Sequence, residues 1–315
     1  MSSTASFAKP PAVRRGDLVA IIAPSGPFDR ESFEAGLAPL EQRYRLQYDA
    51  RLFERYRYLA GEDSRRLGEL LTALQDPEVK AIFCARGGYG TMRLLPGLAA
   101  ALSPGAGSKP LVGFSDITAV HLWLQSRGMV SIHGPVVTQL GRQNETSHQR
   151  LFALLESTSA APPLTGTDTY VGGAVEGPLV GGNLSVFSRL LGTPFLPPLE
   201  GAVLLLEDLG ERPYRLDRMW THLALAGVFR KARGIVLGSF SGCEEREADY
   251  TSTDVLRALA RETGLPCAAG FPIGHGDINE AVALGVRVRL DANARRLTFL
   301  EAATCHPESA RASPV

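Results

Sequence analysis

The sequence predicts an α/β protein: an open parallel sheet with helices on both faces in the first half, and a more mixed second half. Three observations carry this. Residues 18–23 (LVAIIA) are an unbroken apolar run, the pattern of a strand buried on both faces. From there to about residue 133, strand-like and helix-like segments alternate, the rhythm of βαβ units. A length of 315 residues also suggests about two domains.

After the first strand, residues 30–43 have helical periodicity, with Phe33, Leu37 and Leu40 on one side. Residues 45–49 form a short strand. Residues 64–74 space Leu67, Leu70, Leu71 and Leu74 along one helix face. A strand follows at 80–85, a helix at 90–99, a strand at 111–114, a helix at 117–126 and a fifth strand at 130–133. These elements assign residues 1–140 to the first domain. Parallel sheets of this kind bind ligands at the carboxyl ends of their strands. Residues 141–176 turn to Asn, Thr, Ser, Gly and the pair Pro162-Pro163, with one helix over 149–156, and read as a linker. Residues 177–305 form the second domain. Helices are expected at 183–191, 214–226 and 252–263, and strands at 202–206 and 234–238. A hairpin is expected from 282–290 and 296–300. Val286, Val288 and Leu290 alternate there with Arg287, Arg289 and Asp291, which gives one wet face. Residues 306–315 read as a loose tail.

The composition narrows the function classes. Hydrophobic residues make up 44% of the chain, enough for real cores without disulfide or metal staples. Lys plus Arg and Asp plus Glu both number 33, and zero net charge argues against a nucleic-acid partner. Cys84, Cys243, Cys267 and Cys305 form no CxxC pair and no zinc-spaced cluster, so no metal is expected. Cys84 ends an apolar run and reads as a core thiol, and this cysteine usage fits a reducing compartment. No apolar run reaches the roughly 18 residues of a membrane span. Residues 1–11 lack the charged and apolar regions of a signal peptide. The expectation is a soluble cytoplasmic protein with no membrane partner.

Four separated segments carry candidate chemistry. Ser115 follows the apolar strand Leu111-Val112-Gly113-Phe114 and precedes a helix. A serine there exposes its hydroxyl at a strand's carboxyl end, and the next N–H, that of Asp116, points from a helix start that favours an oxyanion. The elbow pattern GxSxG is broken by Ile117, and Ser115 taken alone reads more readily as a helix N-cap than as a nucleophile. Gly87, Gly88 and Gly90 form a tight turn after the neighbouring strand. Gly88 is placed as a second oxyanion donor, or else the turn merely starts a helix. There is no Lys-Ser/Thr of a P-loop and no GxGxxG. His275 sits in Gly274-His275-Gly276 with its imidazole unhindered, and His133, ending a strand, is its rival as a base. Glu207 ends the apolar run 202–206, with Asp208 and Glu211 as competitors for an orienting acid.

Taken together, these segments resemble the LD-carboxypeptidases, the cytoplasmic murein tetrapeptide carboxypeptidase family that includes the microcin C immunity peptidases. The matching stretches are Ala23-Pro24-Ser25-Gly26, Ala85 to Gly90, Gly113 to Asp116, Gly177 to Leu184, Leu206-Glu207-Asp208, Arg215 to Arg218 and Gly274-His275-Gly276. The resemblance implies a triad of Ser115 as nucleophile, His275 as base and Glu207 as orienter, with Gly88 and Asp116 as backbone oxyanion donors. It implies a flavodoxin-like first domain, a smaller swivelling β/α second domain, a homodimer and no cofactor. The activity implied is removal of the terminal D-alanine from murein tetrapeptides by a serine carboxypeptidase, in cell-wall recycling. Such a substrate ends in a carboxylate. Arg86 is placed to meet it, or else sits in a structural ion pair. Asn183 either lines the cleft or caps a helix. One alternative is hydrolysis of a peptidyl- or aminoacyl-nucleotide of the microcin C type, which needs a shelf for the base. Trp123 and Trp220 are the only tryptophans, and both are expected in helix cores. A different class, a non-catalytic small-molecule-binding module, would need neither base nor orienter.

Overall fold

The computed structural model describes residues 7–102, 108–245 and 247–307. Residues 308–315 of the expected tail lie outside the described residues. The first half runs β1 (Leu18–Ile22), α1 (Arg30–Glu41), β2 (Arg45–Gln47), α2 (Asp63–Gln75), β3 (Val79–Cys84) and α3 (Leu95–Ala101). It continues through β4 (Leu111–Gly113), α4 (Thr118–Ser126), β5 (Ser131–His133), α5 (Val137–Leu140) and α6 (Glu145–Glu156). Next come β6 (Leu164–Thr165), β7 (Asp168–Val171), β8 (Ala174–Asn183), α7 (Leu184–Leu190), β9 (Val203–Leu209), α8 (Pro213–Leu225) and α9 (Val228–Lys231). The chain ends with β10 (Gly234–Ser241), α10 (Ser252–Thr263), β11 (Cys267–Ala269), β12 (Val282–Leu284), β13 (Arg287–Asp291) and β14 (Arg296–Phe299).

Two sheets result. The six-stranded sheet has the order β12-β5-β4-β3-β1-β2, parallel except for β12. Within it β2-β1-β3-β4-β5 is the flavodoxin-like winding, whose strand order reverses between β1 and β3. The crevice beyond that reversal is where such folds bind ligands, and the turns after β1 and β3 meet there: Gly26 N–H donates to Gly87 O at 3.1 Å. The eight-stranded sheet has the order β6-β14-β13-β8-β9-β10-β11-β7. Its centre, β8 to β11, is parallel, and its flanking strands are antiparallel.

The halves share a core. One apolar cluster runs from Ile22 and Ile82 through Leu122 and Leu184 to Leu204 and Leu206. Each such buried side chain contributes about 1.5–3 kcal/mol. At the seam, α4 lies on β8. Gly182 (φ +137°) is needed there, because a Cβ would fall 2.6 Å from Thr118 Oγ1. Gln125 Nε2 also donates to Leu179 O at 3.0 Å. This seam brings the β9 carboxylates beside the turn that carries Ser115.

Two sequence expectations need correction. The stretch before the expected helix at 183 is a ten-residue strand, β8. Its Gly177, Pro178, Gly181 and Gly182 hide the strand signal, yet a Cβ at Gly181 would lie 2.0 Å from Leu205 O, so the pairing with β9 needs glycine. The hairpin expected over 282–300 is also narrower. Gly285 (φ +91°) turns the chain, so Val282–Leu284 pairs with β5 in the first sheet, and only β13 and β14 form the hairpin. Residues 141–176 hold α6, whose start is capped by Asn144 accepting from Ser147 N at 2.9 Å, together with β6 and β7 of the second sheet.

Candidate active site

Ser115 holds the left-handed conformation, φ +63°, between extended Phe114 at the end of β4 and the helical turn that opens α4. For a residue with a side chain this conformation costs on the order of 1–3 kcal/mol, and such strain concentrates at functional positions. The local packing explains how it persists. The sharp turn folds Ile117 back over Gly113, where a Cβ would lie 2.9 Å from Ile117 Cγ2. Ile117 therefore fills the place where the GxSxG pattern would put a glycine. From the other side Gly87 presses on the serine: a Cβ there would meet Ser115 Cβ at 2.8 Å and Oγ at 3.1 Å. This is an elbow, and the helix-cap reading of Ser115 falls away, since Ser115 is the first residue inside the helical turn and Phe114 holds the cap position.

Asp116 divides its work between main chain and side chain. Its N–H lies in the first helical turn, where N–H groups have no intrahelical partner. Its buried carboxylate accepts from Ser25 Oγ at 2.6 Å, Thr91 N at 2.9 Å and Thr91 Oγ1 at 2.9 Å. It thus ties together the turns after β1, β3 and β4. The Gly88 N–H (φ +116°) has no partner among the described residues and lies on the same cavity as Ser115. Asp116→Ala is expected to destabilise the protein by about 3 kcal/mol, because buried donors lose a charged acceptor. A fall in the denaturant midpoint at unchanged m-value checks this.

Glu207 sits inside β9, not at its end, and is fully buried. His275 Nδ1 lies 2.6 Å from Glu207 Oε2. A carboxylate accepts, so Nδ1 carries the proton and Nε2 is left free. Gly274 (φ +103°) makes this contact possible, since a Cβ there would fall 2.4 Å from Glu207 Oε2. Burial alone would raise the Glu207 carboxyl, but His133 and His275 outweigh it and hold it below the usual range. Burial would lower His275, yet the Glu207 hydrogen bond and the Glu207 and Asp208 charges raise it above 6.5. The competing acids are engaged elsewhere. Asp208 accepts from Asn183 Nδ2, Ser185 N and Leu209 N, each at 2.9 Å, and burial with the Glu207 charge lifts it to about 6. Glu211 accepts from Ser185 Oγ at 3.1 Å.

Ser115, Gly88, Asp116 and His275 line one cavity of about 680 Å³. No hydrogen bond joins Ser115 to His275 among the described residues, and the side-chain partner of His275 is Glu207. A hydroxyl on a strained turn, an imidazole with a free nitrogen and a cradle of N–H groups are the parts needed for acyl transfer.

Comparison with known proteins follows the same lines. A family model described as the LD-carboxypeptidase N-terminal domain matches residues 19–134, and one described as the C-terminal domain matches residues 176–290. The chain belongs to the LD-carboxypeptidase family. The murein tetrapeptide carboxypeptidase of Pseudomonas aeruginosa is 36% identical over 291 residues, covering 88% of this chain and 94% of that protein. The solved muramoyltetrapeptide carboxypeptidase of Oxalobacter formigenes is 28% identical with a TM-score of 0.79, covering 92% of this chain and 99% of that one. The microcin C7 self immunity protein MccF, solved in complex with aspartyl sulfamoyl adenosine, shares the fold at 20% identity, with a TM-score of 0.84 and coverage of 95% and 100%.

In this LD-carboxypeptidase, Asn183 and Arg86 also have a clear setting. Asn183 caps α7, accepting from Val186 N at 3.1 Å, and its amide holds Asp208, so both side-chain groups are spent. Arg86 lines the cavity, donates to Pro27 O and has no salt bridge among the described residues. Arg142 and Arg189 also line the cavity and were not singled out from the sequence. Only the fold places these loop and helix arginines around one opening. Trp123 and Trp220 are buried in the core, and Tyr89 is the exposed aromatic at the cavity. Among the described residues no cluster of His, Cys, Asp and Glu is arranged to hold a metal ion, and no helix is long and apolar enough to cross a membrane.

Proposed function

We propose that this LD-carboxypeptidase is a cytoplasmic, homodimeric serine peptidase that removes the terminal D-alanine from murein tetrapeptides in cell-wall recycling. Residues 1–140 supply nucleophile and oxyanion turn, and residues 177–305 supply base and orienter. The observation that carries the reading is the strained Ser115 sharing a cavity with an imidazole held by a buried carboxylate. Ser115 Oγ attacks the scissile carbonyl while His275 Nε2 takes its proton. The N–H groups of Gly88 and Asp116 hold the tetrahedral oxyanion, one such donor being worth about 10²–10³ in rate. His275 then protonates the leaving D-alanine amine, and water clears the acyl-enzyme by the reverse transfers. Arg86, with Arg142 and Arg189 around the opening, meets the terminal carboxylate of the substrate. Asn183 shapes the wall by fixing Asp208.

The second reading is cleavage of an aminoacyl- or peptidyl-nucleotide. Tyr89 at the opening favours it, while the burial of both tryptophans takes away the larger shelf. Side-by-side kinetics decide. D-alanine release from the tetrapeptide is expected at a kcat/KM at least about 100-fold above that for an aminoacyl-adenylate conjugate, a gap of about 2.7 kcal/mol. The opposite ranking overturns the assignment.

A further inference from the structure

His133 is a buried histidine that the proposed reaction does not use. It ends β5, is fully buried, and has no hydrogen-bond partner at either ring nitrogen among the described residues. Its Nε2 lies 3.9 Å from Glu207 Oε1, and that oxygen is also buried without a partner. Two orphaned polar atoms, His133 Nε2 and Glu207 Oε1, thus stand near each other in the interior. Leaving such groups unpaired is costly, more so when they are charged. A gap of 3.9 Å is too short for a bridging water, and a shift of about 1 Å brings it to hydrogen-bond range.

The other neighbours of His133 leave it no alternative partner. From α4, the His121 ring lies 6.4 Å away, but its Nε2 donates to Gly113 O at 2.8 Å and its Nδ1 meets Ser131 Oγ at 2.9 Å. Burial keeps His121 neutral, at about 3. From the turn after β4, Phe114 presents a ring at 5.8 Å, edge to face. The paired strand β12 contributes only Val282, Ala283 and Leu284. Across the carboxylate stands His275, on the opposite oxygen.

We infer that His133 is a positioning residue for Glu207. Its Nε2–H donates to Oε1, so the carboxylate is gripped at both oxygens and Oε2 stays aligned on His275 Nδ1. Glu207 is thereby clamped between two imidazoles, one for orientation and one for catalysis. The inference rests on the proposed role of His275 as base. It deepens that role by explaining how a strand-borne carboxylate with torsional freedom is fixed to within a few tenths of an ångström.

The test compares two variants of the full chain. His133→Phe keeps a ring against Phe114 but has no donor. His133→Gln carries an amide N–H near the position of Nε2. With the tetrapeptide as substrate, His133→Phe is expected to lower kcat about 10–100-fold with KM changed less than about 2-fold, the loss of one charged hydrogen bond. His133→Gln is expected to recover most of that loss. The downfield proton resonance of the His275 Nδ1–H bonded to Glu207 is expected to shift or broaden in His133→Phe and to return in His133→Gln. Should the phenylalanine variant fail to fold, His133→Asn, whose amide falls short of Nε2, replaces it in the same comparison. Wild-type turnover in His133→Phe, or equal losses in the Phe and Gln variants that track their Tm, overturns the inference. Those outcomes leave the peptidase reading intact, whereas D-alanine release that survives Ser115→Ala overturns the reading beneath it.

Discussion

Ser115→Ala is expected to leave a folded protein that releases D-alanine about 10⁴-fold or more slowly than the wild type. The proposed nucleophile is lost while the binding cavity and the N–H donors remain. KM is expected to change little, because the cavity walls are supplied by other residues. The strained backbone adds a second readout. Alanine keeps the Cβ at φ +63°, whereas glycine tolerates that conformation, so Ser115→Gly is expected to be more stable than Ser115→Ala by about 1 kcal/mol. Denaturant midpoints of the two variants check this. Equal stability would mean that the elbow has relaxed, and near-wild-type turnover in either variant would sink the mechanism.

Glu207→Gln is expected to lower kcat about 10³–10⁴-fold with the fold intact. The amide can offer its NH₂ or its oxygen to His275 but no charge, so the tautomer with a free Nε2 loses its preference. The pH dependence follows from the raised His275 value. A base must be neutral, so kcat/KM rises with pH through the folded value, above 6.5, and lies lower on the acid side. The stability contribution has the opposite course. A raised imidazole stabilises the fold fully below 6.5, and that contribution is lost as pH climbs through the folded value. Glu207, held low, contributes above its unfolded value near 4.5 and loses that contribution as pH falls through its folded one. In Glu207→Gln the acid limb is expected to move toward or below 6.5, since burial then acts on His275 without its counter-charge. An unmoved limb would assign that ionisation to another group.

Much of this was legible because each element speaks through its own side chains. The run 18–23, the leucine face of α2 and the strand-to-helix turn at Ser115 are local patterns, and the structure keeps all three. The features that escaped depend on contacts between distant segments. The glycines of β8 hide a strand until Leu205 and Thr118 are seen pressing on Gly181 and Gly182. Val282–Leu284 reads as a hairpin arm, and only docking of the sheets sends it to β5. Glu207 reads as a strand end because a buried carboxylate has no local signature. What allows it inside β9 is an imidazole from a loop 68 residues further on. The positive φ of Ser115 is likewise silent in the sequence, since it arises from Gly113, Ile117 and Gly87 closing around one residue.

The most direct test of the central claim is mass-spectrometric mapping of the adduct formed with an acyl-serine-reactive probe. A single covalent adduct on Ser115 is expected in the wild-type protein, formed much more slowly in His275→Ala and Glu207→Gln. Tetrapeptide cleavage by a protein whose Ser115 stays unlabelled, or labelling that is indifferent to His275, would contradict it.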